Sequence, residues 1–423
     1  MAPGELQNEK VVAFSNFNIE LGGFAIKKRI PKFWEIKPGG SIFCTPIFRD
    51  AMLYFGCGDG YVYALDIDKR EEAWKFKTDG IILKVAIKDD IVFAGSFDGN
   101  VYAIDSAGGK ELWRYRVGSE IYACSIYGNQ VLAGSRDGNL YVLDAKTGKE
   151  IWRFRAGGEI GSVPTVYDDM IFLGSNDGNL YCIGNESDEK WRFKTGGNVV
   201  NLHSFMIDSG IIYFASDDSF VYALDISTRK LLWSFKGGEG EITSTPVIHN
   251  GCLYFGCFDG TFYAINQKAG KEIWRFRAGG GIRVTKALIL NNMVFFGSQD
   301  GNLYALDMEG KEVWRFRTNG EVTGSSPVAW KGKIYFGSWD CNLYCLNPLT
   351  GKEGWRFQTS NLQPCVRLPD EYVLEYRQNT GTEEEAQDEE KYIDITANAI
   401  QEGEYTTKHD YASKEIYQPK MKY

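Results

Sequence analysis

Through the first 360 residues, apolar and polar positions alternate in short runs. YFGCGDGYVYALD (54–66) is two such runs joined by Asp-Gly. A period of two is the signature of a strand. Asp-Gly between two strands is a strong hairpin signal, because the turn needs positive φ and glycine adopts it without strain. A second turn, such as AKTGKE, leads into IWRFR, and a further run, such as GSVPTVY, precedes the hairpin. Each unit of about 40 residues therefore predicts four antiparallel strands. The Asp turns centre on Asp59, Asp98, Asp137, Asp177, Asp218, Asp259, Asp300 and Asp340. The following tryptophans are Trp74, Trp113, Trp152, Trp191, Trp233, Trp274, Trp314 and Trp355, at spacings of 39 to 42. A period of this length marks propeller blades or a solenoid, and four strands per unit select the propeller. No helical period runs through this region. The fold expected is all-β: an eight-bladed β-propeller of four-stranded antiparallel blades.

The consensus GSxDGxLYALDxxTGKExWRF resembles the pyrroloquinoline-quinone-type (PQQ-like) propeller repeat, over about residues 34–358. In that family the repeat tryptophan docks one blade on the next, so the resemblance implies that all eight tryptophans are structural. The family includes quinoprotein alcohol dehydrogenases as well as non-catalytic propellers, among them a bacterial outer-membrane assembly lipoprotein and the sensor domains of some kinases. The resemblance thus implies a fold and leaves the function open.

In W-R-F-R the aromatics face one way and the basic residues the other. Fourteen of the sixteen outward positions after the tryptophans are basic, the exceptions being Ser234 and Gln358. Charge on an outer edge strand blocks edge-to-edge pairing, and Asp66, Asp105 and Asp144 are the expected cross-strand counter-charges. Trp34 begins a further copy of the Trp strand with no hairpin before it, so Trp34 and Trp355 compete for the outer slot of blade eight. Trp355 is the better occupant, because GKE makes a short hairpin to NLYCLN. This divides the chain into an N-terminal latch (1–33), the propeller (34–360) and an acidic, tyrosine-rich extension (361–423). The acidic run TEEEAQDEE has a disordered composition, and the alternating pieces after it suit strand addition to the propeller or a partner.

The formal charge is −9, and residues 361–423 carry −7 of it (7 Lys+Arg against 14 Asp+Glu), which leaves −2 for the body. A near-neutral body argues against nucleic acid. No apolar run approaches the ~20 residues of a transmembrane helix, and no basic-then-apolar leader is visible. Nine scattered cysteines with no CxxC suit a reducing, cytoplasmic compartment. Cys182 and Cys345 stand in an alanine position and Cys57 and Cys257 in a serine position, as small core residues do. Cys341 and Cys345 are expected to share a strand face.

No HExxH, nucleophile elbow, phosphate loop or metal-cysteine spacing occurs. The one place for a ligand is the mouth of the central channel, where the first strands begin. Lys84, Tyr122, Asn201, His203, Arg283 and Lys286 stand there, a basic and polar set suited to an anion. The acids recur in every blade's turns, no vicinal cysteine pair exists, and the blades lack long insertions. The expectation is no metal, no cofactor and no enzyme, but a scaffold that binds another protein. The alternatives are a quinone-dependent oxidoreductase and a sensor of a small anion in the channel.

Overall fold

The computed structural model describes residues 39–199 and 204–359 throughout, together with the backbone strands Asn18–Leu21, Phe24–Arg29, Ile36–Lys37, Val366–Arg367 and Glu371–Tyr376. Trp34, Asn201, His203, the acidic run and the tyrosine-rich pieces after it lie outside the described residues. The chain divides into two compact units: Ile36–Val366, and Met1–Glu35 with Arg367–Tyr423. In the smaller unit, Phe24–Arg29 pairs antiparallel with Asn18–Leu21 on one side and Glu371–Tyr376 on the other. The two end segments thus contribute strands to one sheet.

The larger unit is an eight-bladed β-propeller, in which each blade is four consecutive antiparallel strands. Blade 1 comprises Ile47–Arg49, Met52–Gly56, Tyr61–Asp66 and Glu71–Lys77. Blade 8 comprises Val328–Trp330, Lys333–Gly337, Asn342–Leu346 and Glu353–Gln358, so Trp355 fills its outer strand. Ile36–Lys37 pairs with Val366–Arg367. No helix occurs among the described residues. The core is a series of layers between neighbouring blades: Leu132, Leu140 and Val142 of blade 3, for instance, meet Ile171, Leu173 and Tyr181 of blade 4.

The Asp-Gly turns do more than reverse the chain. The Asp98 carboxylate accepts from the Asn100 backbone N–H at 2.9 Å and from the Tyr102 hydroxyl at 2.8 Å. The same Asp–Tyr bond recurs at Asp59–Tyr63, Asp137–Tyr141, Asp177–Tyr181, Asp218–Tyr222, Asp300–Tyr304 and Asp340–Tyr344. Several of these aspartates also accept a backbone N–H from the loop that arrives from the preceding blade, as from Asp79, Gly196 and Asn319. The repeated acids are thereby committed to the seams. In blades 5 and 8 the turn glycine is replaced by Ser219 (φ 72°) and Cys341 (φ 69°). Cys341 therefore sits in a turn, not on the strand that carries Cys345, and the expected shared face does not form.

Six of the seams repeat one backbone bond. The N–H of Ile82 donates to the Cys57 carbonyl (3.2 Å), that of Ile160 to Ser135 (3.1 Å) and that of Ile282 to Cys257 (3.0 Å). The closing seam uses the same bond, from Ile42 to Ser338 at 3.0 Å. It adds the Thr359 carbonyl, 2.9 Å from the Tyr63 hydroxyl, whose proton it shares with Asp59, and a stack of Phe48 on Trp330 with centroids 5.0 Å apart.

The tryptophans pack on the turn that precedes the next blade's outer strand. A Cβ added at Gly109, Gly148, Gly270, Gly310 or Gly351 would stand 2.6 to 2.8 Å from the indole of Trp74, Trp113, Trp233, Trp274 or Trp314. The same five indoles donate to a carbonyl in that turn: Ser106 (2.9 Å), Ala145 (3.1 Å), Gln267 (3.0 Å), Met308 (2.8 Å) and Pro348 (3.0 Å). In the turns of blades 4, 5 and 1 the glycine gives way to Ser187, Arg229 and Arg70, all at positive φ. Trp152, which precedes blade 4, has a buried indole N–H with no partner among the described residues.

The outer basic residues find their acids in an unexpected place. A β-bulge between Ala103 and Ile104 shifts the register, so Glu111 and Arg114 fall on one face and pair through two bonds at 2.7 and 2.5 Å. Glu150–Arg153, Glu189–Arg192, Glu272–Arg275, Glu312–Arg315 and Glu353–Arg356 repeat it, each guanidinium lying over a tyrosine of the adjacent strand. Asp66, Asp105 and Asp144 instead accept backbone N–H groups inside the turns. This corrects the expected cross-strand neutralisation.

Candidate functional site

Hydrogen bonds from blade to blade run along the first strands and the segments leading into them. The Ser326 N–H donates to the Thr45 hydroxyl (3.0 Å), Lys286 N–H to the Ser326 hydroxyl (2.7 Å) and Phe205 N–H to the Thr165 hydroxyl (2.9 Å). Thr245 and Lys286 form a parallel bridge between blades 6 and 7. Strands of different blades bond this closely only where the blades converge, so these segments surround the axis.

Lys84 lies on the first strand of blade 2, Ile82–Lys88, just after a register shift between Ile82 and Lys84. Its ammonium acts electrostatically on Cys44 of blade 1, Cys124 of blade 3 and Lys286 of blade 7. Burial lowers Lys84 to about 8; the two thiols oppose that shift and the Lys286 charge adds to it. Burial also lowers Lys286. Burial pushes the Cys44 thiol up to about 11 and that of Cys124 up to about 12, so both are protonated at neutral pH. Among the described residues, neither lysine ammonium has an ion pair or a hydrogen bond.

Tyr122 and Arg283 occupy a different setting. The Tyr122 ring meets Phe97 edge-on at 5.6 Å and its hydroxyl donates to Glu159 at 3.4 Å, beside Arg136, which pairs with Glu120 at 2.7 Å. The Arg283 guanidinium lies 5.2 Å from the Phe258 ring centroid. Phe97 and Phe258 each precede the turn aspartate of the neighbouring blade, so Tyr122 and Arg283 cover seams. Of the six residues read from the sequence, the structure brings together Lys84 and Lys286, while Asn201 and His203 lie outside the described residues. Sequence reasoning passed over Cys44 and Cys124. Register signalled Cys44, which follows Ile42 by two, as Lys84 follows Ile82; Cys124, three after Ile121, carried no such signal.

Among the described residues no group of three His, Cys, Asp or Glu side chains is placed to hold a metal ion. The recurring aspartates are bonded to tyrosines and turn amides, so the described residues do not form the acidic cradle that a calcium-bound quinone requires. All eight described cysteines are free thiols, and no described helix is long and apolar enough to cross a membrane.

Fold and repeat together define a PQQ-like repeat β-propeller. A family model described as "Beta-alanine-activating enzyme, beta-propeller" matches residues 131–369, more than half of the chain, and the chain belongs to that family. A second model, described as outer membrane protein assembly factor BamB, matches residues 32–124. No curated protein sequence gives a significant match. Three solved structures show the same fold. The computationally designed Ika8 protein is 21% identical over 70% of this chain and 93% of that one, with a TM-score of 0.62. BamB from Moraxella catarrhalis is 16% identical over 76% and 96%, at 0.61. A europium-containing methanol dehydrogenase is 14% identical over 74% and 86%, at 0.62.

Proposed function

We propose that this propeller is a non-enzymatic platform that binds another protein, in the cytoplasm. The observation that carries the reading is the brevity of the connections: within blades, strands are joined by only two to six residues. Among the described residues no connection within a blade is long enough to enclose a substrate, and the acids that the repeat supplies hold the seams. Free thiols throughout the described residues support the compartment. The rigid rim of alternating charge pairs and half-exposed aliphatics, such as Ile151 and Val313 at 49% and 51%, is a surface of protein-binding character. Two measurements test the reading. The purified chain, supplied with quinone and calcium, should not oxidise alcohols or sugars in a dye-linked assay; turnover there would make it an oxidoreductase. Tagged protein isolated from its native cells should carry a stoichiometric partner that added salt removes gradually, and its recovery alone would overturn the platform.

A further inference from the structure

Burying one ammonium is unfavourable, and burying two that repel each other is more so unless an opposite charge lies between them. Lys84 lies on the first strand of blade 2 and Lys286 in the segment leading into the first strand of blade 7, yet the charge of Lys286 acts on Lys84. Among the described residues no carboxylate pairs with either. The neighbouring thiols supply no counter-charge at neutral pH, since burial keeps Cys44 and Cys124 protonated. Two further polar groups beside Lys286 lack a partner: the hydroxyls of Thr285, its chain neighbour, and of Thr245, its bridge partner, are buried and unbonded among the described residues. Unsatisfied buried donors are rare in native proteins and ask for a cause. Neither lysine side chain is fully buried, so solvent and a dissolved ion can reach both.

We propose that the axial channel is a binding site for a small divalent oxyanion, held between the ammonium groups of Lys84 and Lys286 and within reach of the Thr245 and Thr285 hydroxyls. Two separated cations favour a dianion over a halide, because only the former neutralises both at once. The site is independent of partner binding at the rim. It can be present whether or not the platform reading holds.

Inorganic phosphate and succinate are titrated separately into the full chain by calorimetry, with sodium chloride at matched ionic strength as the control. One of the two dianions should bind saturably and raise the unfolding midpoint with concentration, and chloride should do neither. Phosphate alone would mark a compact oxyanion, and succinate alone a dicarboxylate. Lys84→Met and Lys286→Met should each weaken binding at least tenfold, while Lys352→Met, on the outer turn of blade 8, should leave it unchanged. Methionine keeps most of the lysine's length and removes its charge. Should one variant fail to fold, the other carries the same test. Equal responses to phosphate, succinate and chloride would overturn the proposal, as would undiminished binding in a folded Lys84 or Lys286 variant.

Discussion

The seam model makes its sharpest prediction at Gly310. A Cβ there would lie 2.6 Å from Cδ2 and Cε3 of Trp274, and the residue holds φ +84°. Gly310→Ala therefore meets two penalties. A left-handed conformation costs an L-residue roughly 1–2 kcal/mol, and pushing the indole off its seat costs about 1–3 kcal/mol as overpacking. Gly332→Ala separates them, because Gly332 has φ +69° with nothing within 4 Å. It should lose only the conformational ~1–2 kcal/mol. The two variants should thus differ by about 1–3 kcal/mol in urea unfolding followed by far-ultraviolet circular dichroism, with unchanged m values. In a Trp274→Ala background the extra penalty should vanish, giving a coupling of the same size. Equal losses in the two glycine variants, or additivity with Trp274→Ala, would refute the claim that the indole is clamped on the turn.

Two other outcomes follow from the same structure. Ser219 carries φ 72° where most blades use glycine, so Ser219→Gly should stabilise the protein by about 1 kcal/mol; denaturant midpoints would show it, and a loss would mean that the serine side chain contributes more than its backbone strain. Lys84 falls from the ordinary lysine value of 10.5 to about 8, chiefly by burial. Between those values the unfolded chain binds more protons than the folded one, so this group's contribution to stability rises with pH across the window. Lys84→Met should accordingly be more stable than the parent at pH 7, by up to about 3 kcal/mol, and the advantage should disappear by about pH 10.5; an advantage independent of pH would contradict it.

The blades were readable because their chemistry is local. Asp-Gly, the tyrosine four residues after the aspartate, and the glycine before GKE-type ends all lie within one unit, and each bond they make recurs at the same register. The counter-ions were not readable because alternation assumes an unbroken period of two. By that count Glu111 and Arg114 face opposite ways, and only the bulge opposite Ala103 and Ile104 turns them together. The convergence of Lys84 and Lys286 was half legible. Register put Lys84 on a first strand and Lys286 just before one, but which side chains meet depends on the diameter of the ring and on the shift after Ile82. Tyr122, on the first strand of blade 3, and Arg283, in the segment leading into blade 7, occupy comparable depths and nonetheless point their chemistry at aromatic seam covers. Position in a repeat fixes depth in the blade more firmly than it fixes direction.

All four strands of every blade are drawn from one uninterrupted stretch, and the join between Ile42 and Ser338 uses the backbone bond found at five other seams. The circle therefore has no privileged starting point. A gene rearranged to begin at any other inter-blade loop would encode the same eight modules with the same neighbours, and copying or losing one module would alter the circumference without orphaning a strand.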